Sequence, residues 1–366
     1  MAGTAVRQTS EPAPRLWFLT PGDLDTPTGG YRYDKRIIQG LRVLGWRVEH
    51  RALIADFPLP GRTAIEAVRE VVAAIPDGET VVVDGLAYGA LPEVAESEGA
   101  RLGLIALVHH PLWMETGLDS SLSELLRRSE DRALAQARGM IVTSDATARL
   151  LSDRGIARDR IRVVVPGVDR APTATGSPGA DTRLLCVATV TPRKGHDLLL
   201  RALAGLTELP WHLRCVGSLD RDTQWSGEMR RLACDLGLDG RVTFTGALHD
   251  QQLEQEYRQA DLFVLPTRFE GYGMVAAEAL AHGLPIVATR TGAMPELVPP
   301  QAGSLVSPED PEALRVALEK LMADAVSRRR LAVGARTAGL RLPTWSESAG
   351  AFAAACRGLL GKQARG

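Results

Sequence analysis

Glu270 and Glu278 stand eight residues apart. They lie in a stretch that runs from an apolar strand, Leu262–Leu265, through a glycine-rich turn and into a helical pattern read over Tyr272–Ala281. A strand entering such a turn and then a helix gathers free backbone N–H groups and the positive helix end at one point, which suits an anion. Two carboxylates there would repel a phosphate unless the ligand also carried hydroxyl groups for them to hold. A nucleotide sugar carries both parts. Read instead as helix-start carboxylates favoured by the dipole, the pair leaves Pro266, Gly271 and Gly273 without a reason. Glu270 falls in the turn and Glu278 on the helix, so they do not form a helical surface pair. A sequence gives no carboxylate separation, so it does not identify glycoside hydrolysis.

Three more segments sit where strands are predicted to end. Thr191-Pro192-Arg193-Lys194-Gly195-His196 leads from a strand into a helix, and Lys194 is one of four lysines in a chain rich in arginine. Cations beside free N–H groups suit a pyrophosphate that gains charge as its sugar leaves; a charged loop on a solvated surface is the alternative. Thr20–Tyr31 places Gly29 and Gly30 directly before a helix, where backbone can approach a donor phosphate or an acceptor closely. The GxGxxG spacing of a dinucleotide site is missing there. His109-His110-Pro111 follows the strand Leu102–Val108, and a histidine at an exposed sheet end can donate or accept near neutral pH. The sequence leaves open whether His109 or His110 faces the site. Asp84, ending the preceding strand, is a turn residue with site potential, and Ser144 reads as a helix N-cap.

The elements that must position these residues alternate regularly. Strands are predicted at Leu16–Leu19, Arg47–Ala52, Thr80–Val83, Leu102–Val108, Gly139–Thr143 and Ile161–Val165, with helices between them. A Pro-, Gly-, Ser- and Thr-rich stretch at 171–182 reads as a linker. The alternation restarts with strands at Arg183–Ala188, His212–Val216, Val242–Thr245, Leu262–Leu265, Pro285–Ala288 and Gly303–Leu305. Apolar strands alternating with helices need parallel crossovers covered on both faces. Two such doubly wound sheets, 1–170 and 183–344, would hold a ligand in the cleft between their strand ends.

Length and charge set the outer bounds. At 366 residues the chain can fill two cores, and a net charge of −1 gives no field that favours nucleic acid or an anionic membrane. Cys186, Cys215, Cys234 and Cys356 lack metal-ligand or redox spacing and read as small core residues in a reducing compartment. There is no signal peptide and no apolar run near the length of a membrane span. A cytoplasmic location follows as the expectation, with at most peripheral contact at the inner membrane face. The amphipathic segment Ser123–Arg138 mixes acids and bases and reads as a solvated face. The polar, Pro-rich first dozen residues read as a mobile tail.

The segments Arg193-Lys194-Gly195 and Glu270-Gly271-Tyr272-Gly273, with Glu278-Ala279-Leu280-Ala281, Gly283-Leu284-Pro285, Gly292 and Pro295-Glu296 behind them, resemble the retaining glycosyltransferases of family GT4. The resemblance is dense in the second half of the chain and loose in the first. It implies the GT-B fold, two Rossmann-like domains facing an interdomain cleft, with a last helix over 345–361 crossing back onto the first domain. It implies that Glu270 holds the donor sugar, helped by backbone N–H groups of Gly271, Tyr272, Gly273 and Met274. Glu278 would bind the ribose, Lys194 would neutralise the diphosphate, and Gly217, Gly246 and Leu248 would line the base. His109 matches the family's strand-end histidine near the transferred sugar. Two positions depart from the pattern. Thr189 stands where the family has a phosphate-gripping arginine, which Arg193 could replace. Pro166-Gly167 stands where it has Asn-Gly.

The expected reaction moves a hexose-type sugar from a UDP- or GDP-linked donor to a hydroxyl of a small molecule, lipid or glycan, with retention. Side-chain cations would replace a metal, and no cofactor is called for. The leaving phosphate oxygen would take the acceptor proton on the same face. Other GT-B chemistry, a nucleotide-sugar epimerase or a phosphorylase, and a non-catalytic nucleotide-sugar sensor are the alternatives.

Overall fold

The computed structural model describes residues 13–53, 57–115 and 118–361; the tail expected at 1–12 lies outside them. Six strands form one sheet: β1 (Arg15–Thr20), β2 (Arg47–Ala52), β3 (Thr80–Asp84), β4 (Gly103–Val108), β5 (Gly139–Val142) and β6 (Ile161–Val163). Six more form the other: β7 (Thr182–Val187), β8 (Trp211–Val216), β9 (Val242–Gly246), β10 (Leu262–Leu265), β11 (Ile286–Thr289) and β12 (Gly303–Val306). The orders are β2-β1-β3-β4-β5-β6 and β12-β11-β10-β7-β8-β9, and all pairings are parallel. The expected two-sheet α/β fold is therefore the one observed.

Interior strands such as β4 and β10 bury every residue, because helices cover both faces. The edge strands β2 and β9 are more exposed. The helix Trp345–Leu360 belongs to the first sheet's core although it ends the chain. Phe352, Ala353, Cys356 and Leu359 pack among Leu16, Phe18, Ile105 and Ile141. Gly40 and Gly167 make room for it: a Cβ on Gly40 would lie 2.4 Å from that of Ala349, and one on Gly167 would lie 2.4 Å from the Trp345 nitrogen.

Three details differ from the sequence reading. Cys234 is exposed, because its helix, Thr223–Asp235, turns Ser226, Met229 and Ala233 inward and the next position outward. The helix expected from Tyr272 begins at Met274, since Gly273 is left-handed at φ 96° and cannot continue a helical turn. The short helices Pro92–Glu98 and Met294–Leu297 are too brief to show a period.

Candidate active site

In an open parallel sheet the crevice lies where the strand order changes direction, at the carboxyl ends of the flanking strands. In the second sheet that point falls between β7 and β10. β7 runs on to the turn Pro192–Lys194, and β10 runs on to the turn that carries Glu270. Gly195 lets the two turns touch: at φ 68° a Cβ there would lie 2.1 Å from the Pro266 carbonyl oxygen. The Arg193 carbonyl then accepts from the Arg268 amide at 2.7 Å and from the Thr267 hydroxyl at 3.1 Å.

This docking sets Lys194 Nζ 2.6 Å from Glu270 Oε2, with side chains only 14% and 12% exposed. Burial alone would raise the Glu270 pKa, but Lys194 and then Arg193 and His110 outweigh it and hold the carboxyl below its ordinary value. Burial lowers the Lys194 pKa, and Glu270 offsets that only in part. The site therefore stores a charge-assisted pair in a poorly hydrated place, where a fixed cation acts strongly on developing negative charge. Behind Glu270, a Cβ on Gly292 would lie 1.9 Å from the Glu270 carbonyl oxygen, which accepts instead from the Ala293 amide at 3.0 Å. Ala276 and Ala277 donate to the Gly273 carbonyl, so the amides of Gly271, Tyr272, Gly273 and Met274 lie ahead of the helix's own ladder.

Glu278 is reached differently. Tyr257 donates its hydroxyl to Oε2 at 2.9 Å, and Arg32, from the helix Gly29–Val43, donates to Oε1 at 2.5 Å. Burial raises the Glu278 pKa, and Arg32 and Tyr257 offset it only in part. Gly217 and Gly246 meet on the β8–β9 side, where the Gly217 amide donates to the Gly246 carbonyl at 3.0 Å. A Cβ on Gly217 would lie 2.0 Å from the Ala188 oxygen and 2.8 Å from the Thr189 nitrogen. Leu248 packs half-buried on the adjoining core.

The first half contributes the opposite wall. His109, at the end of β4, places Nε2 3.1 Å from Asp34 Oδ1 and 3.2 Å from Asp84 Oδ2. Asp34 is fully buried and Asp84 nearly so. Burial disfavours the His109 imidazolium, yet the two carboxylates outweigh it and push His109 up to about 10. Burial first, and Asp84 second, push Asp34 up to about 7. Among the described residues this trio is the one grouping with ligand-type atoms close enough for a metal ion. One imidazolium offsets one of the two carboxylate charges, so the trio is balanced when Asp34 holds a proton. Gly30 approaches the same imidazole, since a Cβ there would lie 3.3 Å from His109 Cδ2.

The halves meet at the two segments singled out from sequence. A Cβ on Gly271 would lie 2.2 Å from the His109 carbonyl oxygen, and one on Gly29 would lie 3.8 Å from Met274 Sδ. His110 turns the other way from His109, with Nε2 3.4 Å from Glu115 Oε2. Arg193 also pairs with Glu115, Nε to Oε1 at 2.9 Å, and donates to the Phe269 carbonyl. Glu270, Lys194, Arg193, His109, His110, Gly29, Gly30 and Asp84 are thus brought into one region. Thr189 adds no charge to it, and Tyr272 is buried beneath it.

Sequence reasoning missed Arg32, Asp34, Glu115 and Tyr257. Asp34 did leave a signal. It shares the buried face of its helix with Tyr33, Ile37, Ile38 and Leu41, and a carboxylate inside an apolar stripe needs a partner.

Comparison with known proteins agrees with this geometry. A family model described as Glycosyltransferase Family 4 matches residues 37–171, and one described as Glycosyl transferases group 1 matches 181–324. The chain is 28% identical to an MMP alpha-(1->4)-mannosyltransferase of Mycolicibacterium hassiacum, over 81% of this chain and 74% of that protein. It is 34% identical to a D-inositol 3-phosphate glycosyltransferase of Xylanimonas cellulosilytica over 61% of this chain. In that comparison it spans little more than half, 57%, of the relative's length. Among solved structures, sucrose-phosphate synthase from Thermosynechococcus elongatus superposes with a TM-score of 0.80 at 21% identity, covering 95% of this chain and 99% of that one. Anabaena HepE in complex with UDP and glucose gives 0.74 at 20%, covering 93% and 98%. The chain belongs to the group 1, family 4 glycosyltransferases and has their GT-B fold.

Proposed function

We propose that the protein transfers a sugar from a nucleoside-diphosphate donor to an acceptor hydroxyl, with retention and without a metal ion. The observation that carries this reading is the buried Lys194–Glu270 pair at the strand-order reversal. It offers a cation for the diphosphate and a carboxylate for the sugar, with His109 across the cleft against Gly271. HepE, whose structure holds UDP and glucose, supports a donor of this class.

In the reaction, the bond from the anomeric carbon to the diphosphate oxygen breaks and the bond to the acceptor oxygen forms on the same face. The acceptor proton passes to the departing phosphate oxygen. Lys194, Arg193 and the amides of Gly271–Met274 take up the charge that develops on the diphosphate. Glu270 holds the sugar hydroxyls while the ring carries positive character, and Glu278 holds the ribose. Apposition of the halves keeps water from the cationic sugar. The reading puts no membrane-spanning role on the chain, and no helix among the described residues is long and apolar enough to cross a membrane.

The test is a thermal-shift panel of UDP-, GDP-, ADP- and dTDP-sugars, since a bound donor raises the melting temperature by mass action. NMR of the product anomer with the sugar that shifts it most then follows. Retention of the donor's α configuration is expected. An inverted product, or binding without turnover in the presence of acceptors, would overturn the mechanism.

A further inference from the structure

The charges around the two carboxylates do not suit a doubly negative diphosphate unless one more cation takes part. Lys194 and Arg193 supply two positive charges, and Glu270 and Glu115, paired with them, supply two negative ones, which leaves no surplus cation for the diphosphate. Thr189, in the strand-end segment beside Gly217, adds none. Arg32 is a further cation, at the second carboxylate, Glu278. It stands in the first turn of the helix Gly29–Val43, two residues after Gly30, and that turn holds no acidic side chain. Its Nη1 lies 2.5 Å from Glu278 Oε1, and its side chain is 42% exposed against 14% for Glu278. Among the described residues Glu278 is its one ion-pair partner. A guanidinium is planar and can give one edge to a carboxylate while its remaining N–H groups meet phosphate oxygens, which an ammonium cannot do with the same geometry.

We propose that Arg32 is a donor-binding residue, reaching from the first half of the molecule across Glu278 to the diphosphate. The proposal rests on the nucleotide-sugar reading above. It makes Arg32 the side chain that links the two halves through the ligand itself. The ribose diol held by Glu278 and the diphosphate held by Arg32 become neighbouring parts of one contact. It also explains a carboxylate buried on one side by Tyr257 and covered on the other by a cation from 246 residues away.

The experiment compares UDP, GDP and ADP with their nucleosides by calorimetry, on wild type, Arg32→Ala and Arg32→Lys. With the best-bound diphosphate, Arg32→Ala should weaken binding at least tenfold while its nucleoside changes less than twofold. Arg32→Lys, which keeps the charge and loses the fork, should fall between. The diphosphate's salt dependence should also flatten in Arg32→Ala, as one charge contact is lost. Equal changes for diphosphate and nucleoside, or none for either, would overturn the proposal and leave Arg32 a simple contact between halves. If Arg32→Ala melts too low to titrate, Arg32→Lys decides alone: it must weaken the diphosphate selectively, and wild-type affinity would overturn the proposal. Failure of the wild type to bind any of the three diphosphates would overturn the donor reading itself, an outcome distinct from a wild type that binds and an indifferent Arg32.

Discussion

Replacing His109 by alanine removes the cation that faces two buried carboxylates, and its cost can be worked from the cluster. His109 rises from 6.5 to about 10 in the fold. At about 1.36 kcal/mol per pH unit, that is worth about 5 kcal/mol of stability, fully present below pH 6.5 and lost as pH rises through about 10. Asp34 rises from 3.8 to about 7, so its ionisation works against the fold by about 4 kcal/mol once the pH is above 7. The two terms act in different ranges: the His109 term is complete at pH 5.5 and has fallen to about 2 kcal/mol at pH 8.5, where the Asp34 penalty is complete. Removing His109 forfeits its term, so the loss at pH 5.5 should be about 3–5 kcal/mol, the range for breaking a buried pair, or a fall in melting temperature of about 6–20 °C. Raising the pH to 8.5 takes wild type part of the way to the same loss, so the difference between wild type and variant should shrink there. The double variant His109→Ala/Asp34→Asn should recover most of it at pH 8.5. Thermal unfolding of wild type and both variants across pH 5.5–8.5 measures this directly. Equal losses at both ends of the range, or no recovery in the double variant, would refute the electrostatic account and leave only lost packing against Tyr33, whose ring lies 5.3 Å away.

Glu270→Ala should cut sugar transfer by about 10²–10³-fold, as removal of a transition-state contact does, and lower the melting temperature as well, because it leaves Lys194 buried without its partner; wild-type turnover would remove Glu270 from the mechanism. Gly292→Ala should slow transfer and lower the melting temperature together, because its Cβ would enter the space of the Glu270 carbonyl; assays of both quantities on one preparation check it. On the proposed mechanism, in which Lys194 and Arg193 take the metal's part, transfer rates before and after exhaustive EDTA treatment should agree within twofold. Thiol labelling under native conditions should mark Cys234 rapidly and spare Cys186, Cys215 and Cys356, which are buried; intact-mass spectrometry reads the count.

The strands were legible because interior parallel strands are unbroken apolar runs closed by glycine, proline or a polar turn. β10 is Leu-Phe-Val-Leu between Asp261 and Pro266, and the structure begins and ends it at the residues the pattern marks. Glu270 and Lys194 were legible for a related reason: both follow such strands directly, so the strand end places them. The partners of those residues were not. Arg32 meets Glu278 across 246 positions and Arg193 meets Glu115 across 78, and no local period encodes a contact between two separately folded sheets. Cys234 shows the limit inside a helix. Knowing that it is helical does not say which face it takes, and one step of about 100° separates it from the buried Ala233.

The contacts between the halves decide how the site can work. On the donor side, Glu278 takes a cation from the first half and Arg193 takes an anion from it. Gly271 lies flush against the backbone of His109. On the donor half, both charged groups outside the Lys194–Glu270 pair, Glu278 and Arg193, are therefore completed by the other half. A movement that separates the halves must strip Glu278 and Arg193 of their ion-pair partners at once, and a ligand that binds both can replace those partners. Closure and donor recognition then draw on the same side chains. That coupling suits a transferase whose cationic sugar must meet an acceptor hydroxyl before it meets water. It follows that Glu115→Gln, which keeps the shape and removes the charge facing Arg193, should raise hydrolysis of the donor relative to transfer. The ratio of free sugar to product, measured with saturating acceptor, should increase by at least threefold. An unchanged ratio would show that the halves are held together by the glycine contacts alone and that the charges across the cleft serve the donor without governing closure.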